Sequence, residues 1–446
     1  MSAPAPEKPA VALRPTWQNW AGNQRTTARR VARPTGRDEL VAAVRDAASD
    51  GLPLKPVGAG HSFTSIAATD GVRVVLDAYR RPVEIDRVGR RARVQAGMPL
   101  HQLNEWLAEH GLAMGNLGDI DRQTIAGAIS TGTHGTGGRL PGLAGFVEEL
   151  ELITGTGEVV RCSATERPDV FHAARVGLGA VGLISEVTLR CEESYGLHAD
   201  ERPMSMQTIL NEVDEQVAAN DHFEFFWMPY TERALVKRLN RMDPDEPTQP
   251  MSGVKSWWER SMVENLGLGA VCRLGRRTPR MIPRLNRVIA GAMSPRVYSD
   301  VSYQVLCTPR NVRFYEMEYN VPRAATREAL AAIRKVIAKS EVKTNFPVEV
   351  RFAAADDIWM SPAYGRDAAY FAVHQFVGMP YQSLFRECEA VLKDLDGRPH
   401  WAKLHQLTAP DIADRYPKFS DFLAVRDRLD PDRLFRNDYL DRVLGP

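Results

Sequence analysis

Cysteine is scarce in this sequence. Five cysteines occur among 446 residues, they stand far apart, and no two of them form a C-x-x-C pair. This spacing argues against a disulfide framework and against a zinc knuckle, because both need closely placed cysteines. We therefore expect free, buried thiols at Cys162, Cys191, Cys272, Cys307 and Cys388.

Two further features are missing. The chain has no excess of one charge, since 57 basic residues face 56 acidic ones, and this balance argues against nucleic acid or another polyanion as the main partner. The sequence also lacks a run of roughly 18 uninterrupted apolar residues, which a membrane span needs. The N-terminal stretch MSAPAPEKPAVALRPTW has no apolar core of the kind found in signal peptides. We predict a cytoplasmic protein with a small-molecule function and a disordered tail over residues 1–16.

The length exceeds what one hydrophobic core usually serves, so the sequence predicts two domains. Helical and strand patterns alternate up to about residue 192, beginning with a helix over Asp38–Asp50. The segments Glu148–Thr154 and Glu158–Cys162 are separated by glycines and indicate a hairpin. From about residue 196 aromatic residues become more frequent, and we place the start of the second domain there.

The first of three glycine-rich segments is PVGAGHSF, Pro56–Phe63, which follows a predicted strand. Gly58 and Gly60 allow backbone conformations that other residues avoid and can bring N–H groups close to an anion such as a pyrophosphate. A hairpin turn would explain the glycines alone, but it leaves the adjoining His61 and Ser62 without a reason.

The other two segments are longer or differently placed. Small residues and hydroxyls fill Ile125–Gly138, as a loop pressed against a flat ring or a phosphate requires. The segment Gly177–Gly182 matches G-x-G-x-x-G, but the following LISEVTLRC predicts a strand where a dinucleotide-binding fold would begin a helix. We therefore expect a fold other than the dinucleotide-binding fold, in which these glycines let the backbone approach a cofactor closely.

Two polar motifs lie in the C-terminal half. In PVEVRF the alternation places Glu349 and Arg351 on one face of a strand, where they form either a plain ion pair or part of a pocket. In RPHWAKLH a lone lysine, Lys403, is by itself typical of a surface charge. His400 and His405 have no third ligand nearby in sequence, so we predict no metal site.

An arginine-rich stretch, Arg273–Arg296, holds seven arginines among apolar residues. A solvated helix face is the common explanation of such a pattern. Peripheral association with a membrane surface is the alternative, because basic amphipathic segments bind there.

Taken together, these motifs resemble those of the vanillyl-alcohol-oxidase superfamily of flavoenzymes, and within it the sugar-1,4-lactone oxidases and the related alditol oxidases. The likeness runs from NWAGN at Asn19 to the terminal LDPDRLFRNDYL. It implies an α+β fold with a PCMH-type FAD-binding domain over residues 17–195 and a mixed-sheet substrate (cap) domain over 196–400. A C-terminal segment, 401–446, is expected to return to the FAD domain.

The resemblance implies FAD as the cofactor, attached covalently through His61 to the flavin 8α-methyl group. Such a bond would prevent loss of the cofactor and raise its reduction potential by withdrawing electron density. Members without this histidine, among them the decaprenylphosphoryl-ribose oxidases, hold FAD non-covalently, so His61 argues against that branch. The implied cofactor contacts are Val57, Gly58, Ala59, Gly60, His61, Ser62, Gly118, Gly127, Ser130, Thr131, Thr133, His134, Gly135, Gly179, Val181 and Ile184.

The family's E-x-R and H-W-x-K motifs imply that Glu349, Arg351 and Lys403 are catalytic. Arg351 and Lys403 would polarise the substrate oxygen, while Glu349 would orient the hydroxyls and is one candidate to receive the proton. The implied substrate contacts are Asp119, His374 and His400, and the implied gate for dioxygen is Gly118. Asp119 stands where alditol oxidases carry a serine, and this difference disfavours a polyol substrate.

The expected reaction is oxidation of L-gulono-, L-galactono- or D-arabinono-1,4-lactone by hydride transfer to flavin N5. Dioxygen or another acceptor would then reoxidise the flavin, and the sequence leaves oxidase and dehydrogenase both open. The nearer alternative is an alditol or other carbohydrate oxidase on the same scaffold. The remoter one is a non-catalytic flavin-binding or membrane-associated electron-transfer module.

Overall fold

A computed structural model describes residues 16–251, 267–308 and 312–446 of the chain. The tail predicted for residues 1–16 lies outside these residues, apart from Thr16 at the start of the first strand. Within the described ranges, no helix is both long and apolar enough to cross a membrane.

The first half of the chain forms small sheets. Its central sheets are a parallel one, ordered β3-β5-β4, and a five-stranded antiparallel one, ordered β10-β9-β11-β7-β6, while β1 pairs with β2 and β8 with β12. The strands are β1 Thr16–Gln18, β2 Arg25–Thr27, β3 Arg30–Ala32, β4 Leu54–Val57, β5 Val72–Val75, β6 Pro82–Asp86, β7 Arg91–Gln95, β8 Leu112–Ala113, β9 Val147–Ile153, β10 Val159–Ser163, β11 Leu183–Arg190 and β12 Glu192–Glu193.

The second half contributes one eight-stranded antiparallel sheet, ordered β16-β13-β15-β14-β18-β19-β17-β20. Its strands are β13 Gly196–Ser205, β14 His222–Trp227, β15 Arg233–Arg241, β16 Arg296–Val301, β17 Phe314–Pro322, β18 Val348–Ala353, β19 Ala368–Phe376 and β20 Arg398–Pro399. Every residue of β19 is buried, which explains why this strand is almost continuously apolar.

The helices pack one apolar face against these sheets. In helix Arg37–Ser49 the buried residues Leu40, Ala43, Val44 and Ala47 recur at helical spacing. The α-helices are Arg37–Ser49, Leu100–Glu109, Ile125–Ser130, Pro168–Ala174, Met206–Ala219, Leu268–Arg277, Ile282–Ala292, Ser302–Leu306, Thr326–Lys339, Gln382–Lys393, Ala409–Arg415, Phe419–Leu429 and Asp438–Leu444, and the 3₁₀ turns are Leu143–Phe146, Pro279–Met281 and Arg323–Ala325.

The C-terminal residues pack against the first half. The Leu54 N–H donates to the Leu434 carbonyl at 2.8 Å, and the Phe63 N–H donates to the Ala402 carbonyl at 2.7 Å. One hydrophobic core joins both halves, from Leu40 to Leu444. The domain bounds inferred from the sequence stay a prediction.

Several local predictions are confirmed. β9 and β10 form the antiparallel hairpin around the glycines, and β11 follows Gly177–Gly182 as a strand. All five cysteines are free and buried. The arginine-rich stretch forms two helices with exposed arginines, which both of its interpretations allow.

One prediction is wrong. The run Ile125–Gly138, expected to be a loop, begins with a helix over Ile125–Ser130. Ile125 and Ile129 are buried, and the Thr124 side chain caps the helix by accepting from the Gly127 N–H. These local apolar and capping interactions outweigh the glycine content, and the loop begins after the helix, with φ of +73° at Gly132.

Candidate active site

Two clefts meet at His61 and Gln123, which line both of them. The first has a volume of about 880 Å³, and the second has a volume of about 1810 Å³. The predicted residues that line the first cleft are Val57, Gly58, Ala59, Gly60, His61, Ser62, Gly127, Ser130, Thr131, Gly179 and Ile184. Those that line the second are His61, Gly118, Asp119, Thr133, His134, Glu349, Arg351, His374, His400 and Lys403.

Two predicted cofactor residues lie away from these walls. Val181 is only 2% exposed and packs into the core. Gly135 is pressed against the backbone, since a Cβ there would stand 2.2 Å from the Leu117 carbonyl oxygen. His405, outside both clefts, makes a 2.8 Å hydrogen bond with the Tyr439 hydroxyl.

Glycines form part of the wall of the first cleft, and two of them leave little room for a side chain. A Cβ on Gly58 would lie 2.2 Å from Thr124 Oγ1, and Gly60 has φ of +71°. The loop Pro56–Ser62 can therefore bring its N–H groups close to an anion in the cleft. Such a cradle fits the phosphates and ring of a dinucleotide.

Replacing Gly58 by Ala is expected to weaken both the fold and the incorporation of the cofactor. The new methyl group would displace Thr124 from its capping position, at a cost of about 1 kcal/mol. Thermal denaturation and the flavin-to-protein ratio of the purified protein measure the two effects. Gly291→Ala is the matched control, because Gly291 lies in helix Ile282–Ala292 with nothing within 4 Å of its Cβ position, and it should lower neither the denaturation temperature nor the flavin content. Normal flavin retention in Gly58→Ala would contradict this view of the cradle.

Lys55 belongs to the first cleft and was missed from the sequence. It lies in β4, is 2% exposed, and donates to the carbonyl oxygens of Gly179 and Phe435, both at 3.0 Å. Burial lowers the pKa of Lys55 to about 7, although the negative charge of Asp430 raises it. A lysine within an apolar strand, directly before the glycine loop, is the signal that could have identified it.

The second cleft contains a row of buried charges on adjacent strands. Arg351 on β18 forms an ion pair with Glu349 on the same strand and another, at 3.0 Å, with Glu224 on β14. Lys237 on β15 reaches Glu224 at 3.2 Å. Two carboxylates, those of Glu349 and Glu224, therefore hold the Arg351 guanidinium in place. Glu349 and Arg351 form an ion pair, and both also line the second cleft.

Lys403 closes the other side of this cleft. Its Nζ donates to Glu316 Oε2 at 2.5 Å and lies 5.2 Å from the centre of the Phe63 ring. Glu316 Oε1 lies 3.5 Å from His374 Nε2, and His374 Nδ1 lies 3.2 Å from the Pro347 carbonyl. Lys403 and Arg351 thus both face the same space.

His134, Glu318 and His400 form a third group in the same cleft. His134 Nε2 is 3.1 Å from Glu318 Oε1, and its Nδ1 is 2.8 Å from the Gly135 carbonyl. Atoms of His134, Glu318 and His400 come within 4.8 Å of one another, a spacing that a metal ion would accept. Hydrogen bonds already engage these groups, and His400 Nδ1 accepts the Ala402 N–H at 3.1 Å.

The electrostatic setting distinguishes the carboxyls of the cleft. Burial raises the pKa of Glu349, and the positive charge of Arg351 lowers it. The carboxylates of Glu224 and Asp119 raise it further, so the pKa lies above its usual range. Burial also raises the pKa of Glu318, but His134 outweighs it and holds the pKa well below the usual range. Glu349 is thus the better proton acceptor of the two.

His61 is a neutral imidazole at physiological pH. Burial and the charge of Lys403 lower its pKa to about 4. Its ring stacks on Trp20, with centroids 5.7 Å apart. A neutral ring nitrogen, fixed where the two clefts meet, can act as a nucleophile.

The loop with Gly118 and Asp119 borders the second cleft. Asp119 Oδ1 accepts from Thr308 Oγ1 at 2.7 Å, and Cys307 Sγ contacts the Gly118 carbonyl at 3.4 Å. A Cβ on Gly118 would lie 3.2 Å from the His134 carbonyl oxygen. A larger residue there would therefore press on the wall next to His134.

Glu316 and Glu318 were missed from the sequence. They alternate with apolar residues in FYEMEYNVP, so the strand places both on the face toward the second cleft. Two acids on one face of a mostly apolar, buried strand are a signal of a functional face that the sequence contains.

Comparisons with known proteins extend this description. A family model described as D-arabinono-1,4-lactone oxidase matches residues 187–443, and one described as FAD binding domain matches residues 28–163. The L-gulono-1,4-lactone dehydrogenase of Mycobacterium tuberculosis is 44% identical over 437 residues, which cover 97% of this chain and 100% of that protein.

Two more distant relatives cover the chain equally well. The L-gulonolactone oxidase of Mus musculus is 31% identical over 434 residues, covering 96% of this chain and 98% of that protein. The alditol oxidase of a Streptomyces species is 31% identical over 442 residues, with the same coverage. The crystal structure of cholesterol oxidase from B. sterolicum has a TM-score of 0.81 at 17% identity and covers 100% of both chains. This last likeness concerns the fold alone and confirms the predicted α+β fold.

Proposed function

We propose that this chain, which belongs to the D-arabinono-1,4-lactone oxidase family and is an FAD-dependent oxidoreductase, oxidises a hydroxyl group of a sugar-1,4-lactone. The candidate substrates are L-gulono-, L-galactono- and D-arabinono-1,4-lactone. The observation that carries the proposal is the pairing of two cations, Arg351 and Lys403, with the carboxyl Glu349 in a cleft that meets the FAD cleft at His61.

The residues present fit FAD. Glycine backbone lines the first cleft where the diphosphate needs N–H donors, and Lys55 adds a buried amino group there. We assign the loop Pro56–Ser62 and the segment Gly127–Thr131 to the cofactor. FAD, when bound, supplies a hydride acceptor at its N5 atom.

The second cleft supports substrate oxidation through three residues. Arg351 and Lys403 stabilise the negative charge that develops on the hydroxyl oxygen. Glu349 accepts the hydroxyl proton, which its raised pKa favours. Asp119, His374 and His400 border the same space and orient the remaining hydroxyls.

The test of this function is turnover of purified protein on the three lactones and on xylitol and sorbitol. Each substrate is supplied with dioxygen and then with an artificial dye, which separates oxidase from dehydrogenase behaviour. We expect turnover of at least one lactone. Turnover confined to the polyols would replace the proposal by an alditol oxidase, while a bound flavin that no substrate reduces would favour an electron-transfer module.

We further propose that the flavin is bound covalently to His61. Support comes from the neutral, stacked imidazole at the meeting point of the clefts. The wild-type protein should retain its yellow colour and an added flavin mass after denaturation, and His61→Ala should lose both. His110→Ala is the control, because His110 lies outside both clefts and contacts Trp106. Flavin that survives denaturation in His61→Ala would contradict the assignment.

We assign Gly118 to the access of dioxygen to the flavin, because a Cβ there would lie 3.2 Å from the His134 carbonyl oxygen and narrow this part of the cleft. The dye and dioxygen arms of the turnover experiment test this directly. Equal rates with both acceptors agree with an open path. Turnover with the dye alone would show that Gly118 does not suffice for oxidase activity.

A cytoplasmic location is also proposed. All five cysteines are free and buried, and thiols persist in this form where glutathione keeps them reduced. Recovery of the protein with cytosolic markers after cell fractionation is the expected result, and recovery in the membrane pellet would instead favour peripheral membrane association.

A further inference from the structure

Lys403 is held to β17 through both backbone and side chain. The Leu404 N–H donates to the Glu316 carbonyl at 2.9 Å, and the His400 N–H donates to the Glu318 carbonyl at 3.0 Å. Between these two bonds the chain makes a turn, in which the Lys403 N–H donates to the His400 carbonyl at 2.9 Å. This register brings the Lys403 ammonium onto the Glu316 carboxylate.

We propose that Glu316 is a positioning residue that keeps Lys403 a fixed cation beside the reacting hydroxyl, so that the hydroxyl proton is accepted by Glu349 and not by Lys403. The proposal rests on the function proposed above. Glu316 acts through Lys403 and is not itself assigned a contact with substrate.

The burial of Glu316 makes the ion pair strong. The residue is 4% exposed, and its two carboxylate oxygens face Lys403 at 2.5 Å and His374 at 3.5 Å. Burial raises the pKa of Glu316, but Lys403 and His374 outweigh it and lower the pKa to about 2. Loss of the Lys403 proton would leave this buried carboxylate facing His374 alone, which is costly in a medium of low polarity.

An ammonium has no lone pair and cannot accept a proton, so a lysine held in this way serves only as a positive charge. Glu349 is placed to take the proton instead. In the resulting step the C–H and O–H bonds of the carbinol break and a C=O bond forms. The hydride, with its electron pair, goes to FAD, and the proton goes to the Glu349 carboxylate.

Several titratable groups face Lys403. They are Glu316 and Glu318 on β17, His374 on β19, His61 of the glycine loop and His400 of its own turn. Burial lowers the pKa of His400 to about 3, so this ring stays neutral across the working range.

Glu316→Gln tests the proposal through the pH dependence of anaerobic flavin reduction by L-gulono-1,4-lactone. Without the carboxylate, the positive charge beside the reacting hydroxyl is less stabilised, so the alkaline limb of the profile should move to lower pH. The rate at neutral pH should fall at least about tenfold. The acid limb, which reports Glu349, should stay in place.

A second measurement needs no turnover. Sulfite adds to N5 of oxidised flavins and leaves negative charge on the ring, so its affinity reports nearby positive charge. Sulfite affinity should be lost at a lower pH in Glu316→Gln than in the wild type. This change should match the shift of the alkaline limb in the flavin-reduction profile. If wild type binds sulfite but no lactone reduces its flavin, the proposed function fails while the assignment of Glu316 is still tested by sulfite.

Two variants separate positioning from a merely structural role. Glu389→Gln removes another buried carboxyl, which accepts from the Tyr319 hydroxyl at 2.7 Å and the Gln406 N–H at 2.9 Å, and it should leave both pH profiles in place. Glu316→Asp keeps the negative charge and should return the alkaline limb close to its wild-type position. A rate loss in Glu316→Gln with unshifted kinetic and sulfite profiles would overturn the proposal, as would an equal shift in Glu316→Asp.

Discussion

Replacing Lys403 by Met should slow reduction of the flavin by a sugar lactone by roughly 10²–10³-fold while leaving the flavin bound. The side chain keeps its length but loses the ammonium that Glu316 holds at 2.5 Å. Arg351 then faces the developing alkoxide alone. Anaerobic stopped-flow absorbance measures the rate, and the flavin-to-protein absorbance ratio measures occupancy.

Lys393→Met is the matched control for this variant. Lys393 pairs with Asp411 at 3.0 Å on a half-exposed surface outside both clefts, and such pairs contribute little to stability. Its flavin should be reduced at the wild-type rate. Wild-type reduction in Lys403→Met would remove Lys403 from the mechanism.

Glu349→Gln is expected to lower the same rate by roughly 10²–10⁴-fold, the usual contribution of a general base. Only the carboxylate can accept the proton, and the raised pKa of Glu349 means that protonation begins at a higher pH than for an ordinary glutamate. Wild-type reduction should therefore fall as the pH drops through that pKa. The slow residual rate of Glu349→Gln should show no such acid limb.

Asp356→Asn provides the comparison for this pH dependence. Burial raises the pKa of Asp356 to about 6, with Ser361 opposing, and the residue lies outside the lining of both clefts. This variant should keep the wild-type acid limb. An acid limb that persists in Glu349→Gln, or that disappears in Asp356→Asn, would assign the proton acceptor to another group.

Features encoded by nearby residues could be predicted from the sequence. The two-residue spacing of Glu349 and Arg351 fixes a common face on any strand, and both do line the second cleft. The glycine loop before His61 likewise follows a strand, as its sequence indicates. In each case the geometry is local, so no knowledge of the sheet order is needed.

Contacts between distant segments could not be predicted. Lys403 meets Glu316 because β20 lies beside β17 at the edge of the large sheet and the following turn is bonded to β17. Glu224 reaches Arg351 because β14 lies beside β18. These neighbours depend on strand order and register, which no spacing within one segment reveals.

The helix Ile125–Ser130 illustrates a different limit. Its glycine content pointed to a loop, yet buried isoleucines and the Thr124 cap decide the local structure. Lys55 shows the same effect of context, because its role depends on carbonyl groups of two distant segments.

The most direct test of the account is a single anaerobic mixing of the wild-type protein with excess L-gulono-, L-galactono- or D-arabinono-1,4-lactone. The account predicts that at least one of them bleaches the visible absorbance of the bound flavin, as dithionite does. A flavin that dithionite bleaches but that stays fully oxidised in all three lactones would contradict it.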